Sequence, residues 1–340
     1  MIHPFLTSTS FVAAVVAVAS LLPAPVMGQT PTAAVDTWTP PRTPWGHPDL
    51  QGIWTNETIT PFERSNELQD KPFLSEEEAS DLEQQTARQN AAADGTSPPG
   101  SVGGYNRFWY DSGTEVLSTR QSSLVVDPPD GRVPVMPEAE AKRDDTHARS
   151  TDSYEFMSLW DRCITRGVPG SMFPTAYNNA YQILQTPEYV VILYEMIHDA
   201  RIIPLDGRPH VDPKIRLWMG DSRGRWEDNT LVVETTNFTD KGRVESRGVS
   251  RRIMGLPQSE DLHVVERFTL VNADTIGYEV TIEDPEVYTR PWKVAMPLSR
   301  DQDYQMYEYA CHEGNTAIEL ILGGSRAEEK AAREAEEKSR

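Results

Sequence analysis

The sequence lacks the motifs that mark the common cofactor-binding and metal-binding families. No GxGxxG motif follows a predicted strand, and no P-loop is present. HExxH, paired CxxC and EF-hand patterns are also missing. We therefore expect no organic cofactor, and we keep a divalent metal ion only as an alternative.

The chain has little positive charge for its size. It carries 52 acidic against 32 basic residues, a formal net charge of −20 at pH 7. A chain this acidic repels phosphate backbones, and no cluster of Lys and Arg overrides that repulsion locally. Nucleic acid is therefore excluded as an expected partner, and a small-molecule ligand or substrate is favoured.

Long apolar runs are missing as well. The longest, residues 11–22, is shorter than the roughly 20 residues that a membrane-spanning helix needs. It is followed by two prolines and the small-residue site Val26-Met27-Gly28, the order typical of a cleavable signal peptide. We expect a signal over residues 1–28, a periplasmic or secreted protein, and no transmembrane segment after cleavage. Because the start of the chain contains no Lys or Arg, a retained N-terminal anchor is the alternative.

Cysteine is scarce, with only Cys163 and Cys311 present. An exported protein meets an oxidising compartment, where two cysteines can form a single intramolecular disulfide. We predict that bond, with two buried free thiols as the alternative.

The rest of the chain divides by composition. Residues 29–44 are rich in Pro and Thr and predict an extended lead-in. Residues 45–316 predict a single β-rich domain with a helical and loop elaboration over about 75–150, including a helix that begins at a capping box after Ser75 and ends near Ala92. The Ala, Glu, Lys and Arg-rich residues 317–340 predict a solvated C-terminal helix, with a partner-binding helix as the alternative.

Past Tyr177, short runs of β-branched and aromatic residues alternate with turn signals. This pattern favours a mainly β fold, an antiparallel meander that closes into a lipocalin-like barrel or a sandwich, with a few peripheral helices. The predicted strands cover residues 181–185, 189–197, 201–205, 231–238, 262–271, 276–283, 292–298 and 304–309.

One carboxylate stands out within this pattern. In the strand that begins at Leu262, alternation places Glu266 on the same face as Phe268 and Leu270. A buried, unpaired carboxylate holds its proton more tightly, as a general acid or base near neutral pH requires. Glu266 is therefore a candidate catalytic residue; the alternative is a structural pair with an arginine on a neighbouring strand.

Histidines near strand ends supply further candidates. His312 and Glu313 lie where the predicted strands finish, a position that suits a barrel mouth and proton transfer. His198 and His210 are added as candidate catalytic residues that could also bind a metal, although their spacing matches no strong metal motif.

Residues 201–226 are dense in Arg, Asp, His and Trp, which suits a binding site; the alternative is a structured loop across the barrel mouth after the strand at 201–205. Aromatic rings together with arginines can stack on and hydrogen-bond a sugar or an aromatic compound. The candidate substrate-binding residues are Trp54, Tyr181, Arg201, Asp221, Arg223, Trp226 and Trp292.

Three longer motifs carry a resemblance. Residues 45–54 (WGHPDLQGIW), 220–226 (GDSRGRW) and 307–315 (YEYACHEGN) are similar to segments of a group of exported bacterial proteins that have no assigned function. The resemblance implies export and one long domain, and it brings no catalytic residue. Separately, Gly52-Ile53-Trp54 resembles the Gly-x-Trp that opens the first strand of lipocalin barrels, which hold apolar small molecules.

These observations favour a cofactor-free acid–base enzyme of the lyase, isomerase or hydratase type, acting on an apolar or aromatic small molecule. The alternatives are a non-catalytic periplasmic ligand carrier and a carbohydrate-active or carbohydrate-binding protein.

Overall fold

The structure, a computed structural model, describes residues 38–93, 110–244 and 249–339. Residues Thr39–Arg340 form one compact unit. The predicted fold class is confirmed: a mostly antiparallel sheet is nearly closed into a barrel, and the described residues contain three α-helices. The expected signal, residues 1–28, and most of the lead-in lie outside the described residues.

Ten strands build the sheet. In chain order they are β1 (Gly52–Thr55), β2 (Val125–Asp127), β3 (Ala180–Gln185), β4 (Tyr189–Tyr194), β5 (Ala200–Pro204), β6 (Asp221–Glu227), β7 (Thr230–Thr236), β8 (His263–Asn272), β9 (Thr275–Glu283) and β10 (Trp292–Arg300).

Nine of the strands follow the order β5-β4-β3-β1-β10-β9-β8-β7-β6, and β2 pairs with the first part of β10. Every ladder is antiparallel, so the two end strands, β5 and β6, run in the same direction. They are joined through side chains: Arg201 Nε donates to Ser222 Oγ at 2.9 Å. This contact closes the barrel without an additional ladder of backbone hydrogen bonds.

A glycine makes the closure tight. A Cβ added to Gly224 on β6 would lie 2.7 Å from Leu205 Cδ2 and 2.8 Å from Ile203 Cγ2. Real Cβ atoms do not approach carbon this closely, so any larger residue here would have to displace the Leu205 and Ile203 side chains.

The barrel interior is filled by side chains. Alternate residues of β8 point inward, as predicted, and the largest fully buried side chains include Trp54, Trp292, Tyr194 and Tyr278. A cavity lined by residues 166–170, Phe173 and the barrel residues Ile282 and Trp292 measures only about 30 Å³. That volume holds about one water molecule, whereas small-molecule pockets measure roughly 300–1,000 Å³.

Three helices lie outside the barrel. They are α1 (Glu76–Ala93), α2 (Pro137–Ala148) and α3 (Ala317–Ser339). The predicted capping box is confirmed, since Glu78 N donates to Ser75 Oγ at 3.2 Å and Ser75 N donates to Glu78 Oε2 at 2.8 Å. None of the described residues of α3 is buried, as a solvated helix requires. Within the described ranges, every helix is too short or too polar to cross a bilayer.

Strand predictions were wrong at three places: β2 (Val125–Asp127) was not predicted, and the other two concern residues 221–227 and 304–309. Residues 221–227 form strand β6, whereas the sequence predicted no strand there, and residues 304–309 form no strand. The predicted disulfide is confirmed: Cys163 and Cys311 are bonded, with their Cα atoms 5.8 Å apart.

Candidate functional site

Glu266 lies at the centre of a buried polar cluster. Its carboxylate is 0 % exposed and forms an ion pair with Arg201, with Glu266 Oε2 2.5 Å from Arg201 Nη2. The Tyr278 hydroxyl donates to Glu266 Oε1 at 3.0 Å. Pairing with an arginine, the alternative to catalysis, is thus confirmed, but the arginine comes from the end strand β5 and not from a strand paired with β8.

Neighbouring hydroxyls complete this cluster. Arg201 Nη2 donates to Thr235 Oγ1 at 2.7 Å, and Ser222 Oγ lies 3.0 Å from the same oxygen. Although burial opposes the charge on Arg201, the Glu266 carboxylate raises the pKa of its guanidinium, so Arg201 stays cationic. Burial also raises the pKa of the Tyr194 phenol to about 12. The cluster therefore holds one buried ion pair surrounded by neutral hydroxyls.

Ser222 also occupies the centre of the spacing Gly220-Asp221-Ser222-Arg223-Gly224, which matches GxSxG. In hydrolases that motif forms a strand-to-helix elbow with an exposed serine. Here it lies inside strand β6, and Ser222 is 5 % exposed with its hydroxyl bonded to Arg201. The geometry of a nucleophile elbow is absent from this segment.

His210, Asp221 and Arg223 form a second group at the start of β6. Asp221 accepts from Arg223 Nη1 at 2.7 Å, and its other oxygen lies 2.9 Å from His210 Nδ1. Asp221 also accepts the backbone N–H of Val211 at 3.1 Å. Trp226, further along the strand, stacks on His47 with ring centroids 5.1 Å apart. These side chains hold residues 209–211 and the segment around His47 against β6.

His198 lies in a strained turn between β4 and β5. Ile197 and His198 have φ values of 63° and 49°, which β-branched residues such as isoleucine rarely adopt. His198 Nδ1 is 2.8 Å from the carbonyl oxygen of Tyr309, and Thr165 donates to Asp199 at 2.7 Å. His312 and Glu313 are exposed and follow the disulfide. The structure therefore places His198 and His312 at the disulfide, apart from the buried Glu266.

Trp54, Tyr181 and Trp292 belong to the core. Trp54 is 0 % exposed, its Nε1 donates to the carbonyl of Leu50 at 2.9 Å, and the Arg300 guanidinium lies 4.1 Å from its ring centroid. Tyr181 packs edge-on against Tyr194, and Trp292 against Tyr288. These rings fill the barrel interior in which the sequence predicted a ligand.

Metal-binding geometry is absent from the described side chains: no three of their His, Cys, Asp and Glu groups are arranged to hold an ion. His210 Nδ1 lies within hydrogen-bond distance of the Asp221 carboxylate, and His198 Nδ1 within hydrogen-bond distance of a backbone carbonyl oxygen.

A surface groove contains ionisable residues that the sequence analysis missed. It measures about 490 Å³ and is lined by Glu57, Tyr110, Asp111 and Glu115 against the outer face of β10. We call it the carboxylate groove. Glu57 follows strand β1, whereas Asp111 lies more than fifty residues later, so only the tertiary fold brings them together.

The carboxylates of the groove perturb one another. Partial burial, together with the nearby charges of Asp111 and Asp301, raises the pKa of Glu57 to about 7. Glu57 keeps an exposed face, so water screens part of this effect. Burial also raises the pKa of Asp111, although Asn179 donates to both of its carboxylate oxygens, at 2.9 and 3.2 Å.

Glu195 lies behind these two carboxylates. It is 2 % exposed, and its Oε1 accepts from the Tyr304 hydroxyl at 2.7 Å. Its Oε2 has no hydrogen-bond partner among the described atoms, and the structure pairs none of Glu57, Asp111 and Glu195 with a described Lys or Arg. Burial and the Glu195 carboxylate raise the pKa of Tyr304 above its usual range, so this phenol stays protonated.

Comparison with known proteins gives no relative: no family model matches the chain, and neither the curated proteins nor the solved structures contain a significant match.

Proposed function

We propose that the protein is a cofactor-free acid–base enzyme that acts on a small molecule in the carboxylate groove. The observation that carries the proposal is the meeting of Glu57 and Asp111 in a groove of about 490 Å³, a size that suits a small substrate. The buried, partly unpartnered Glu195 carboxylate behind them supports it.

The two lining carboxyls suit different roles. A general acid or base works best when its pKa is near the working pH, and Glu57 meets that condition with a pKa of about 7. Burial raises the pKa of Asp111 as well, but two hydrogen bonds from Asn179 oppose that rise by favouring its anionic form. Glu57 would then exchange a proton with the substrate while Asp111 stabilises positive charge or holds a hydroxyl. Two carboxyls in unlike environments are a recurring acid–base arrangement.

The groove favours a polar substrate over the apolar one expected from a lipocalin-like interior. Ser112, Thr114 and Ser299 line it alongside the carboxylates. An anionic substrate would be repelled, so a neutral hydroxylated molecule with an acidic C–H is the best match. This substrate class suits the lyase, isomerase or hydratase reactions that the sequence favours.

Export is part of the proposal. The Cys163–Cys311 disulfide supports it, because such bonds persist in oxidising compartments and are rare in the cytosol. The proposed location is the periplasm or the medium.

Glu57→Gln is expected to change how stability depends on pH. Because the native pKa of about 7 exceeds the ordinary value of 4.5, the native state binds more protons than the unfolded chain between these pH values. Raising the pH through this window therefore destabilises the wild type, and the Gln variant lacks this loss. Because water screens the Glu57 carboxylate, the Gln variant should be more stable than the wild type by less than about 1 kcal/mol at pH 8. At pH 4 the two proteins should be equally stable. Urea denaturation at both pH values measures it; equal effects at the two pH values would contradict a raised pKa.

Solvent deuterium exchange tests the reaction itself. In D₂O, the wild type is expected to catalyse exchange at the acidic C–H of at least one compound in a panel of neutral hydroxy-ketones and lactones. Glu57→Gln should slow that exchange by about 100-fold, the usual contribution of a general acid or base. Glu283→Gln is the matched control, since Glu283 is an exposed carboxylate outside the groove. Binding without exchange across the panel would favour a ligand carrier instead.

A further inference from the structure

The carboxylate groove carries negative charge that the protein itself does not neutralise. Glu57, Asp111 and Glu115 line it, and the charge of Asp301 acts on Glu57 from nearby. Among the described residues, no Lys or Arg lines the groove, and none forms an ion pair with any of these four carboxylates. Like charges held this close repel one another, and a bound cation would relieve that repulsion.

A buried oxygen behind the groove also lacks a donor. Glu195 is 2 % exposed, its Oε1 accepts from the Tyr304 hydroxyl, and its Oε2 has no hydrogen-bond partner among the described atoms. The charge of Glu195 acts on Asp111. It also acts, together with Asp111 and Glu57, on the phenol of Tyr304, so the buried carboxylate and the two lining ones belong to one cluster. A buried carboxylate oxygen without a donor costs free energy, and a ligand with positive charge and N–H donors lowers that cost.

The arrangement of these carboxylates favours an organic cation over a metal ion. No three of the described His, Cys, Asp and Glu side chains are arranged to hold a metal ion, which needs several oxygens at about 2.0–2.6 Å from one centre. An alkylammonium group instead reaches separate carboxylates through N–H donors, at nitrogen–oxygen distances of about 2.7–2.9 Å. A primary amine also stays protonated at neutral pH, since its pKa is near that of lysine.

We propose that the carboxylate groove binds a small aliphatic amine, and most tightly a short diamine whose two ammonium groups pair with different carboxylates. The inference rests on the groove of the proposed function but not on its reaction. Val116 and Pro297 in the lining offer apolar surface to the methylene chain, and the hydroxyls of Ser112, Thr114 and Ser299 accept further N–H groups. A bound diamine would occupy the place of the substrate and inhibit the proposed enzyme. The formal charge of −20 on the chain adds a long-range attraction for cations.

Binding of the amine should be coupled to the loss of a proton. Partial burial, and then the charges of Asp111 and Asp301, raise the pKa of Glu57 to about 7, while the Thr55 hydroxyl opposes this rise. A bound ammonium group favours the ionised carboxylate, so binding at pH 7 should release up to about half a proton from Glu57. The affinity should therefore rise between pH 6 and pH 8, by at most about tenfold.

Isothermal titration calorimetry on the full disulfide-bonded protein tests the proposal, with 1,4-diaminobutane as the probe and low ionic strength to limit screening. The neutral isostere 1,4-butanediol, and tetramethylammonium, a cation without N–H donors, should each bind at least about tenfold more weakly. Titrations in two buffers of different ionisation enthalpy measure the released protons. No binding of the diamine, or equal binding of butanediol or tetramethylammonium, would overturn the proposal. Calcium that displaces the diamine at matched ionic strength would overturn it too, by revealing a metal site.

Three variants locate the binding. Glu57→Gln should weaken diamine binding about tenfold and abolish the proton release, and Asp111→Asn, which keeps an acceptor for Asn179, should weaken binding by a similar factor. Glu283→Gln, at an exposed position outside the groove, should leave binding unchanged. Unchanged affinity in both Glu57→Gln and Asp111→Asn would place the ligand elsewhere and refute the assignment.

The inference and the proposed enzyme fail separately. Diamine binding without deuterium exchange on any compound of the panel would support the amine site and contradict the enzyme. Exchange without diamine binding would support the enzyme and contradict the amine site. Where both are found, the diamine should inhibit the exchange competitively, and exchange that a saturating diamine leaves unchanged would show that the amine does not occupy the groove.

Discussion

Replacing Glu266 with alanine is expected to lower the free energy of unfolding by about 3–5 kcal/mol. The substitution leaves the Arg201 side chain, which is 3 % exposed, without its counter-charge inside the barrel. It also removes the acceptor of the Tyr278 hydroxyl. Guanidinium chloride denaturation at pH 7 measures the loss.

The ion pair between Lys293 and Glu279 provides the matched control. It joins β10 and β9 at 3.2 Å on the outer face of the same barrel, with both side chains about 40 % exposed. Glu279→Ala should cost less than about 1 kcal/mol, because water screens this pair. If Glu266→Ala also costs less than about 1 kcal/mol, solvent reaches the buried cluster around Glu266.

We expect the stability loss in Glu266→Ala to come from the unpaired buried charge that remains on Arg201, and not from the lost attraction between the two side chains. The double variant Arg201→Met with Glu266→Leu removes both charges and fills similar volume, so it should recover most of the stability. If the double variant is no more stable than Glu266→Ala, the hydrogen bonds to Ser222 and Thr235 hold the end strands together and matter more than the charge.

Periodicity predicted the C-terminal half of the barrel well, because its strands are long and strictly alternating. In β8 the inward set, including Glu266, was identified correctly from the sequence. Strand β6 was missed because polar and charged residues occupy most of its positions, a composition that indicates a loop. Its partner β7 and the contact with β5 make it a strand, and neither is visible in its own sequence.

Glu266 illustrates which part of a site cannot be predicted from the sequence. Alternation established that the carboxylate points inward, but not which residue faces it across the barrel. Arg201 comes from β5, which reaches Glu266 only because the barrel closes. The same limit applies to the carboxylate groove, where Glu57, Asp111 and Glu195 come from three distant segments. Glu57 and Glu195 each follow a strand, and that position is a local signal that could have marked them, whereas Asp111 lies in a loop away from any strand.

The double variant Cys163→Ser with Cys311→Ser is expected to lose about 5 kcal/mol of unfolding free energy. The bond joins residues 148 positions apart, and in the chain-entropy model a loop of this length restricts the unfolded chain by that amount. Both cysteines are replaced so that no free thiol remains. Denaturant titration of the variant, and of the wild type with and without a reductant, measures the effect, and the reduced wild type should match the variant.

The slope of the denaturant titration shows where this loss arises. If the bond acts on the unfolded state, its removal lets that state expand and expose more surface, so the dependence of free energy on denaturant becomes steeper. If it acts locally, by holding Tyr309 beside Trp160, the slope stays constant and only the contact between these two side chains is lost while the barrel stays folded. We expect the steeper slope, because the loop spans β3 to β10 and these strands have their own ladders to hold them when the bond is broken. A loss below about 2 kcal/mol with an unchanged slope would contradict the entropic account.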